Sequence, residues 1–138
     1  MNGTRVLDMT GNAVRKYFTY KGVGERNRAN FGYNQAVRVG DRIECAGQGG
    51  WNPETGVIYQ EINAQIDQAF ANVDLHLRDA GGKGWSQVFR VNSYHVPIND
   101  EAIQTMVRNY KKWMPDHFPR LGEDDMRVEI EVVALDSK

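Results

Sequence analysis

The clearest regularity in the chain is an alternation of apolar and polar residues near its C-terminal end. Over residues 128–134 every second side chain is apolar, and Glu129 and Glu131 fill two of the positions between them. A period of two residues predicts a β-strand with one buried face. Residues 88–96, rich in β-branched and aromatic side chains, predict another strand.

A β-hairpin is predicted in the first third of the chain, around the pair Gly40-Asp41. A glycine at the first central position of a two-residue turn suits type II′. Its strands are residues 35–39 and 42–46. Residues 15–20 consist largely of β-formers and predict an earlier strand, whereas the polar, glycine-containing run 21–30 predicts a loop.

Apolar residues spaced three and four positions apart predict two helices. The first helix is predicted over about 61–80 and stops at Gly81-Gly82, a natural helix end. Its stripe consists of Ile62, Ile66, Ala69, Phe70, Val73 and Leu77. The second helix is predicted to follow the Asn99-Asp100 capping pair and to end before Pro115. It carries Ile103, Val107, Tyr110 and Met114.

These elements predict one α+β domain over residues 1–138, with an N-terminal extension of about residues 1–14. A chain of 138 residues has the length of a single domain with one core. Two helices of this length cover only one face of a sheet. The other face carries Glu129 and Glu131 beside apolar residues, so we expect other subunits to cover it around a polar cleft.

Composition narrows the classes of function. The formal net charge of −1 gives no basic excess of the kind that nucleic-acid binders gather on one surface, so nucleic acid is not an expected partner. No apolar run has the length of a membrane span or the form of a signal peptide. The single cysteine, Cys45, lies in an apolar run and predicts core packing. The expected location is the cytoplasm, with an organelle left open.

An ordered set of short motifs is more specific. It comprises residues 33–41 (Tyr-Asn-Gln-Ala-Val-Arg-Val-Gly-Asp), 46–48 (Ala-Gly-Gln), 52–56 (Asn-Pro-Glu-Thr-Gly) and 128–134 (Val-Glu-Ile-Glu-Val-Val-Ala). The set resembles the opening and closing signatures of the reactive-intermediate deaminase family, known as Rid, YjgF or endoribonuclease L-PSP. The resemblance covers about residues 32–135.

The resemblance implies a chorismate-mutase-like α+β fold with a mixed sheet and two helices on one face. It implies a homotrimer whose sheets form a central barrel, with small-molecule clefts between subunits. Active members of the family hydrolyse enamines and imines derived from amino acids to 2-oxo acids and ammonia, without a metal or an organic cofactor. Such chemistry requires a held carboxylate, a positioned water and assisted proton transfer.

The resemblance also assigns site residues. Glu129 matches the cleft glutamate that orients water or accepts a proton; the alternative is a glutamate on the subunit seam paired with a basic group such as Arg127. Tyr33 matches a ligand-facing tyrosine or is an interface aromatic. Gly47 matches a glycine whose amide approaches the ligand, or it serves only a turn or bulge.

Three departures from the family pattern change this expectation. Ala46 replaces a common serine, and Val107 replaces a common asparagine, so the substrate-binding cleft loses two polar groups. The Pro-x-Arg-Ser/Thr motif that supplies the carboxylate-binding arginine is not intact within residues 115–127. Arg120 is the substitute anchor; the alternative is that it belongs to a solvent-facing loop.

Two main functions therefore stay open. The first is an imine or enamine deaminase with Glu129 and Arg120 as its catalytic residues. The second is a non-catalytic trimer of the same fold that binds an unidentified small molecule. Endoribonuclease activity is a further alternative, against which the net charge argues.

Overall fold

The computed structural model describes residues 3–7, 13–118, 120–122 and 128–136, with the backbone alone for residues 3–7, 13, 14, 120–122 and 129. The described residues form an α+β fold built on one seven-stranded sheet. The strands are β1 (Gly3–Leu7), β2 (Ala13–Phe18), β3 (Ala36–Val39), β4 (Arg42–Cys45), β5 (Val88–Tyr94), β6 (Arg120–Gly122) and β7 (Glu129–Leu135). The helices are α1 (Val23–Phe31), α2 (Ile62–Asp79) and α3 (Asp100–Trp113), with a 3₁₀ turn at Gly84–Gln87.

The strand order across the sheet is β1-β2-β3-β4-β7-β5-β6. Described neighbours pair antiparallel, except that β6 runs parallel to β5, so the sheet is mixed as predicted. The hairpin of β3 and β4 is confirmed. Its Gly40 has a φ of 61°, and among the described residues positive φ occurs only at glycine. Asp41 therefore excludes type I′, and the turn is type II′ as predicted.

The two predicted helices are confirmed to within one residue. The Glu61 carboxylate caps α2 by accepting hydrogen bonds from the amides of Asn63 and Ala64, and Asn99 caps α3 by accepting one from Ala102. Phe70 of α2 stacks on Trp85 at 4.7 Å and meets Tyr110 of α3 edge-on at 5.5 Å. These contacts join both helices in the core that covers one face of the sheet.

The N-terminal predictions need correction. The strand expected over 15–20 is β2, two residues earlier, and it pairs with β1, which lies within the segment expected to be an extension. The loop predicted over 21–30 is wrong, because residues 23–31 form α1. This helix buries only Val23 and Gly24, so its sequence has no apolar stripe from which a helix could be predicted. Gly32 ends α1 in the left-handed conformation, with its amide donating to the Arg28 carbonyl.

The period-two prediction for β7 is confirmed. Ile130, Val132 and Ala134 are buried in the core under the helices. The residues between them face the other side of the sheet, where several large apolar side chains stay partly exposed. They include Val39, Phe89 and Leu135. Cys45 is buried, as expected for a packing residue.

Candidate functional site

Residues 46–51, here called the glycine loop, lie against the start of β7. Gln48 and Ile130 form an antiparallel bridge, in which each amide donates to the other residue's carbonyl at 2.8 and 2.9 Å. In antiparallel register the next pair is Gly49 opposite Glu129. The backbone of the predicted catalytic glutamate therefore adjoins the loop that contains Gly47.

A buried amide network fixes the glycine loop from beneath. The Gln48 side chain is fully buried and donates to the Gln35 side-chain oxygen at 2.7 Å. The Tyr20 hydroxyl donates to the Gln48 side-chain oxygen at 3.3 Å and accepts from the Trp51 indole at 3.2 Å. Burial raises the pKa of Tyr20, so this phenol stays neutral and can donate.

Helix α2 fixes the same loop from its side. The Asn72 amide donates to the carbonyls of Gly49 and Trp51 at 2.9 and 2.8 Å. A Cβ added at Gly50 would lie 2.1 Å from the Gln65 carbonyl oxygen, so only glycine lets the loop approach the helix this closely. The loop conformation is thus set by buried groups rather than by solvent-exposed ones.

Tyr33 stands where two depressions meet. Its ring is 38% exposed, and its hydroxyl accepts a hydrogen bond from Asn27 of α1 at 2.9 Å. The first depression, here called the glycine-loop pocket, has a volume of about 300 Å³ and is lined by Tyr33, Gly47, Gly49, Gly50, Trp51, Ile58, Gln65 and Val128. The second, of about 380 Å³, contains Ala46 beside Tyr33 and opens on strands β3 and β4. The structure therefore brings Tyr33, Ala46 and Gly47 together.

The other predicted site residues lie elsewhere in the described fold. Val107 is 42% exposed on α3 and lines neither of the two depressions at Tyr33. Arg120 begins strand β6 rather than lying in a loop, opposite Arg90 of β5. Glu129 begins β7, opposite Tyr94. The side chains of Arg120 and Glu129 are outside the described part of the structure.

The sheet register sets the separation of Arg120 from Glu129. Strand β5 lies between β6 and β7, and the partners of the two residues on β5 are Arg90 and Tyr94, four positions apart. With strands about 4.8 Å apart and a rise of about 3.3 Å per residue, the two backbone positions are on the order of 15 Å apart. The backbones of Arg120 and Glu129 in one chain are therefore not adjacent.

Cys45, which lines the second depression, is buried. Burial, with the charge of Glu131 as a smaller cause, raises the pKa of the Cys45 thiol well above its ordinary value. A neutral buried thiol is a poor nucleophile, which agrees with a packing role. Glu131 itself accepts a hydrogen bond from Asn92 at 3.4 Å. Among the described residues, no group of three or more His, Cys, Asp or Glu is arranged to hold a metal ion.

None of the helices in the described ranges is both long and apolar enough to cross a membrane. Sequence reasoning missed Asn27, Gln48 and Asn72, whose side chains orient the site. A usable signal existed for Asn72, because Gln65, Asn72 and His76 are seven and four positions apart and form a second, polar stripe on α2.

Comparison with known proteins identifies the family of this chain. Residues 24–136 match the family model described as endoribonuclease L-PSP. A RutC family protein of Aquifex aeolicus is 45% identical over 110 residues, covering 75% of this chain and 87% of the relative. A 2-iminobutanoate/2-iminopropanoate deaminase of Escherichia coli is 30% identical over 114 residues, covering 75% and 86%.

The fold is also found among solved structures. The Rid-family protein YyfA of Yersinia pestis, described as a protein of unknown function, superposes with a TM-score of 0.74 at 24% identity. That match covers 88% of this chain and 98% of YyfA. Because the family model matches residues 24–136, which are most of this chain, the chain belongs to the endoribonuclease L-PSP family, also called Rid or YjgF.

Proposed function

We propose that the protein is a deaminase that hydrolyses imines and enamines derived from amino acids to 2-oxo acids and ammonia. The observation on which this rests is the bridge between Gln48 and Ile130, which sets Gly47 and Tyr33 beside the start of β7, where Glu129 lies. Relatives of 28–30% identity named 2-iminobutanoate/2-iminopropanoate deaminase support the proposal.

The reaction consumes one water and releases one ammonia. Water adds through its oxygen to the imine carbon while a carboxylate accepts one of its protons and passes it to the imine nitrogen, which gives a carbinolamine. The carboxylate then takes the proton of the new hydroxyl and delivers it to nitrogen, so that the carbon–nitrogen bond breaks, ammonia leaves and the carbon–oxygen double bond forms. Because the imine carbon is already electrophilic, placement and proton transfer are sufficient, and neither a metal nor an organic cofactor takes part in the proposal.

The residues would divide these tasks. Glu129 would accept and return the proton, and Arg120 would hold the substrate carboxylate by a bidentate contact. Tyr33, already oriented by Asn27, offers its hydroxyl as a donor. The amides of Gly47 and Gly49 also have no acceptor among the described residues. Successive amides of an extended chain point in opposite directions. Because the Gln48 amide donates toward β7, the amides of Gly47 and Gly49 point away from β7.

The proposed site lies between subunits of a homotrimer. A separation on the order of 15 Å between Arg120 and Glu129 on one chain favours a cleft in which different chains supply them. The partly exposed apolar residues on the outer face of the sheet, including Phe89 and Leu135, favour a face that other copies cover, as in a barrel of sheets.

The proposal is tested by ammonia release from freshly generated 2-iminobutanoate. We expect the wild-type protein to accelerate release in proportion to its concentration, and Glu129→Gln to lower kcat by at least about 100-fold, the usual contribution of a general acid–base group. Glu54→Gln, a change of the same kind at an exposed position, is the matched control and should keep full activity.

A wild-type rate equal to that of buffer, from correctly assembled protein, would contradict the deaminase proposal. The second candidate, a non-catalytic small-molecule binder, would then take its place. Ala46 favours that candidate, because it removes a hydroxyl from the depression beside Tyr33.

A further inference from the structure

The glycine-loop pocket is lined by both polar and apolar groups. Tyr33 supplies a hydroxyl to this lining and Gly47 supplies a backbone amide. Trp51 and Ile58, which form an antiparallel bridge with each other, supply hydrocarbon. A ligand that fills this pocket therefore meets hydrogen-bonding groups and an apolar wall.

Trp51 presents carbon rather than nitrogen to this pocket. Its indole nitrogen already donates to the buried Tyr20 hydroxyl at 3.2 Å, and its carbonyl accepts from Asn72. The six-membered ring lies on the backbone of Gly49, where an added Cβ would be 2.6 Å from the ring atom Cζ3. The indole is held in place by both contacts, so it forms a fixed apolar wall.

Two further polar groups near Trp51 are also occupied. The Gln65 side-chain nitrogen donates to the Tyr59 carbonyl at 2.7 Å, and the Gly50 carbonyl accepts from the Tyr59 amide at 2.9 Å. Ile58, which also lines the pocket, is 53% exposed, and its side chain offers a ligand only hydrocarbon contact. A substrate with only a methyl group would leave Trp51 and Ile58 uncovered.

From this lining we infer that Trp51 and Ile58 select substrates with large apolar side chains. The preferred substrates are imines of branched-chain or aromatic amino acids, with the planar imino-acid group near Tyr33 and Gly47 and the side chain against Trp51 and Ile58. The inference rests on the proposed deaminase function and specifies its substrate class. Each additional buried methylene in an apolar pocket typically raises kcat/KM about 10-fold or more.

The test compares imines generated in place from L-leucine, L-phenylalanine and L-alanine by an L-amino-acid oxidase. We expect wild-type kcat/KM to be at least about 10-fold higher for the leucine or phenylalanine imine than for the alanine imine. Ile58→Ala should reduce this ratio several-fold. Val57→Ala is the matched control, because Val57 is 67% exposed and does not line the pocket.

Two results would overturn the inference, and they are distinguishable. Hydrolysis that is equal or faster with the alanine imine, or an unchanged ratio in Ile58→Ala, refutes the selectivity and leaves the proposed function intact. Absence of hydrolysis with all three imines refutes the proposed function, and the substrate class with it.

Discussion

Acid should destabilise this protein through one buried histidine. His76 of α2 is 1% exposed, forms a hydrogen bond with the Gln35 backbone and meets the Tyr20 ring edge-on at 5.9 Å. Burial lowers the pKa of His76 from its ordinary value of 6.5 to about 3. The imidazole is therefore neutral in the folded protein at every pH at which the protein is handled.

The sign of the effect follows from proton linkage. Below pH 6.5 the unfolded chain binds a proton at His76 that the folded chain does not bind until about pH 3. The free energy of unfolding is therefore highest above pH 6.5 and falls by about 1.4 kcal/mol for each pH unit below it. Between pH 7.5 and pH 5.0 the loss from this one group is about 2 kcal/mol.

Urea unfolding at equal protein concentration measures this loss. We expect the wild-type midpoint to fall by about 1 M more between pH 7.5 and pH 5.0 than the midpoint of His76→Gln, given a urea dependence of about 2 kcal/mol per M. The variant can be less stable at both pH values without affecting the comparison, because the pH dependence is the quantity compared. Equal pH dependence in the two proteins would refute the reasoning.

Three further predictions follow from single contacts. Gly50→Ala should lower the free energy of unfolding by about 1–3 kcal/mol in urea titrations, because its Cβ would overlap the Gln65 carbonyl; unchanged stability would contradict the close approach. Asn99→Ala should cost about 1 kcal/mol by removing the α3 cap, whereas Asn99→Asp should cost much less. Asn72→Leu should slow imine hydrolysis by loosening the glycine loop while far-ultraviolet circular dichroism stays unchanged; full activity would show that the loop holds without it.

Periodicity made the central part of the fold predictable. Helices α2 and α3 and strand β7 each bury one regular face, so their apolar residues recur at fixed spacing. Helix α1 lacks such a face, because it lies largely exposed between Gly22 and Gly32, and its polar sequence is equally typical of a loop. The residues of this segment alone therefore do not distinguish a helix from a loop. The positive φ of Gly32, which ends the helix, is visible only in the structure.

The site was only partly predictable for a related reason. The motif resemblance anticipated that Tyr33, Ala46 and Gly47 lie together, and the structure shows it. The buried amide of Gln48 was missed, because a polar side chain surrounded by partners from distant segments has no local signature. For the segment of β6 the sequence left both a vestigial strand and a solvent-facing loop open, since three residues are too few to form a readable alternation.

The proposal of an imine deaminase with clefts between subunits is tested most directly by mixing two inactive variants. Arg120→Ala and Glu129→Gln chains, carrying different tags, are co-expressed, and mixed trimers are purified through both tags and assayed with 2-iminobutanoate. If one chain supplies Arg120 and its neighbour Glu129, every mixed trimer has one intact cleft out of three, and about a third of wild-type activity should return. Activity no higher than that of either variant alone, in verified mixed assemblies, would contradict a site shared in this way between chains.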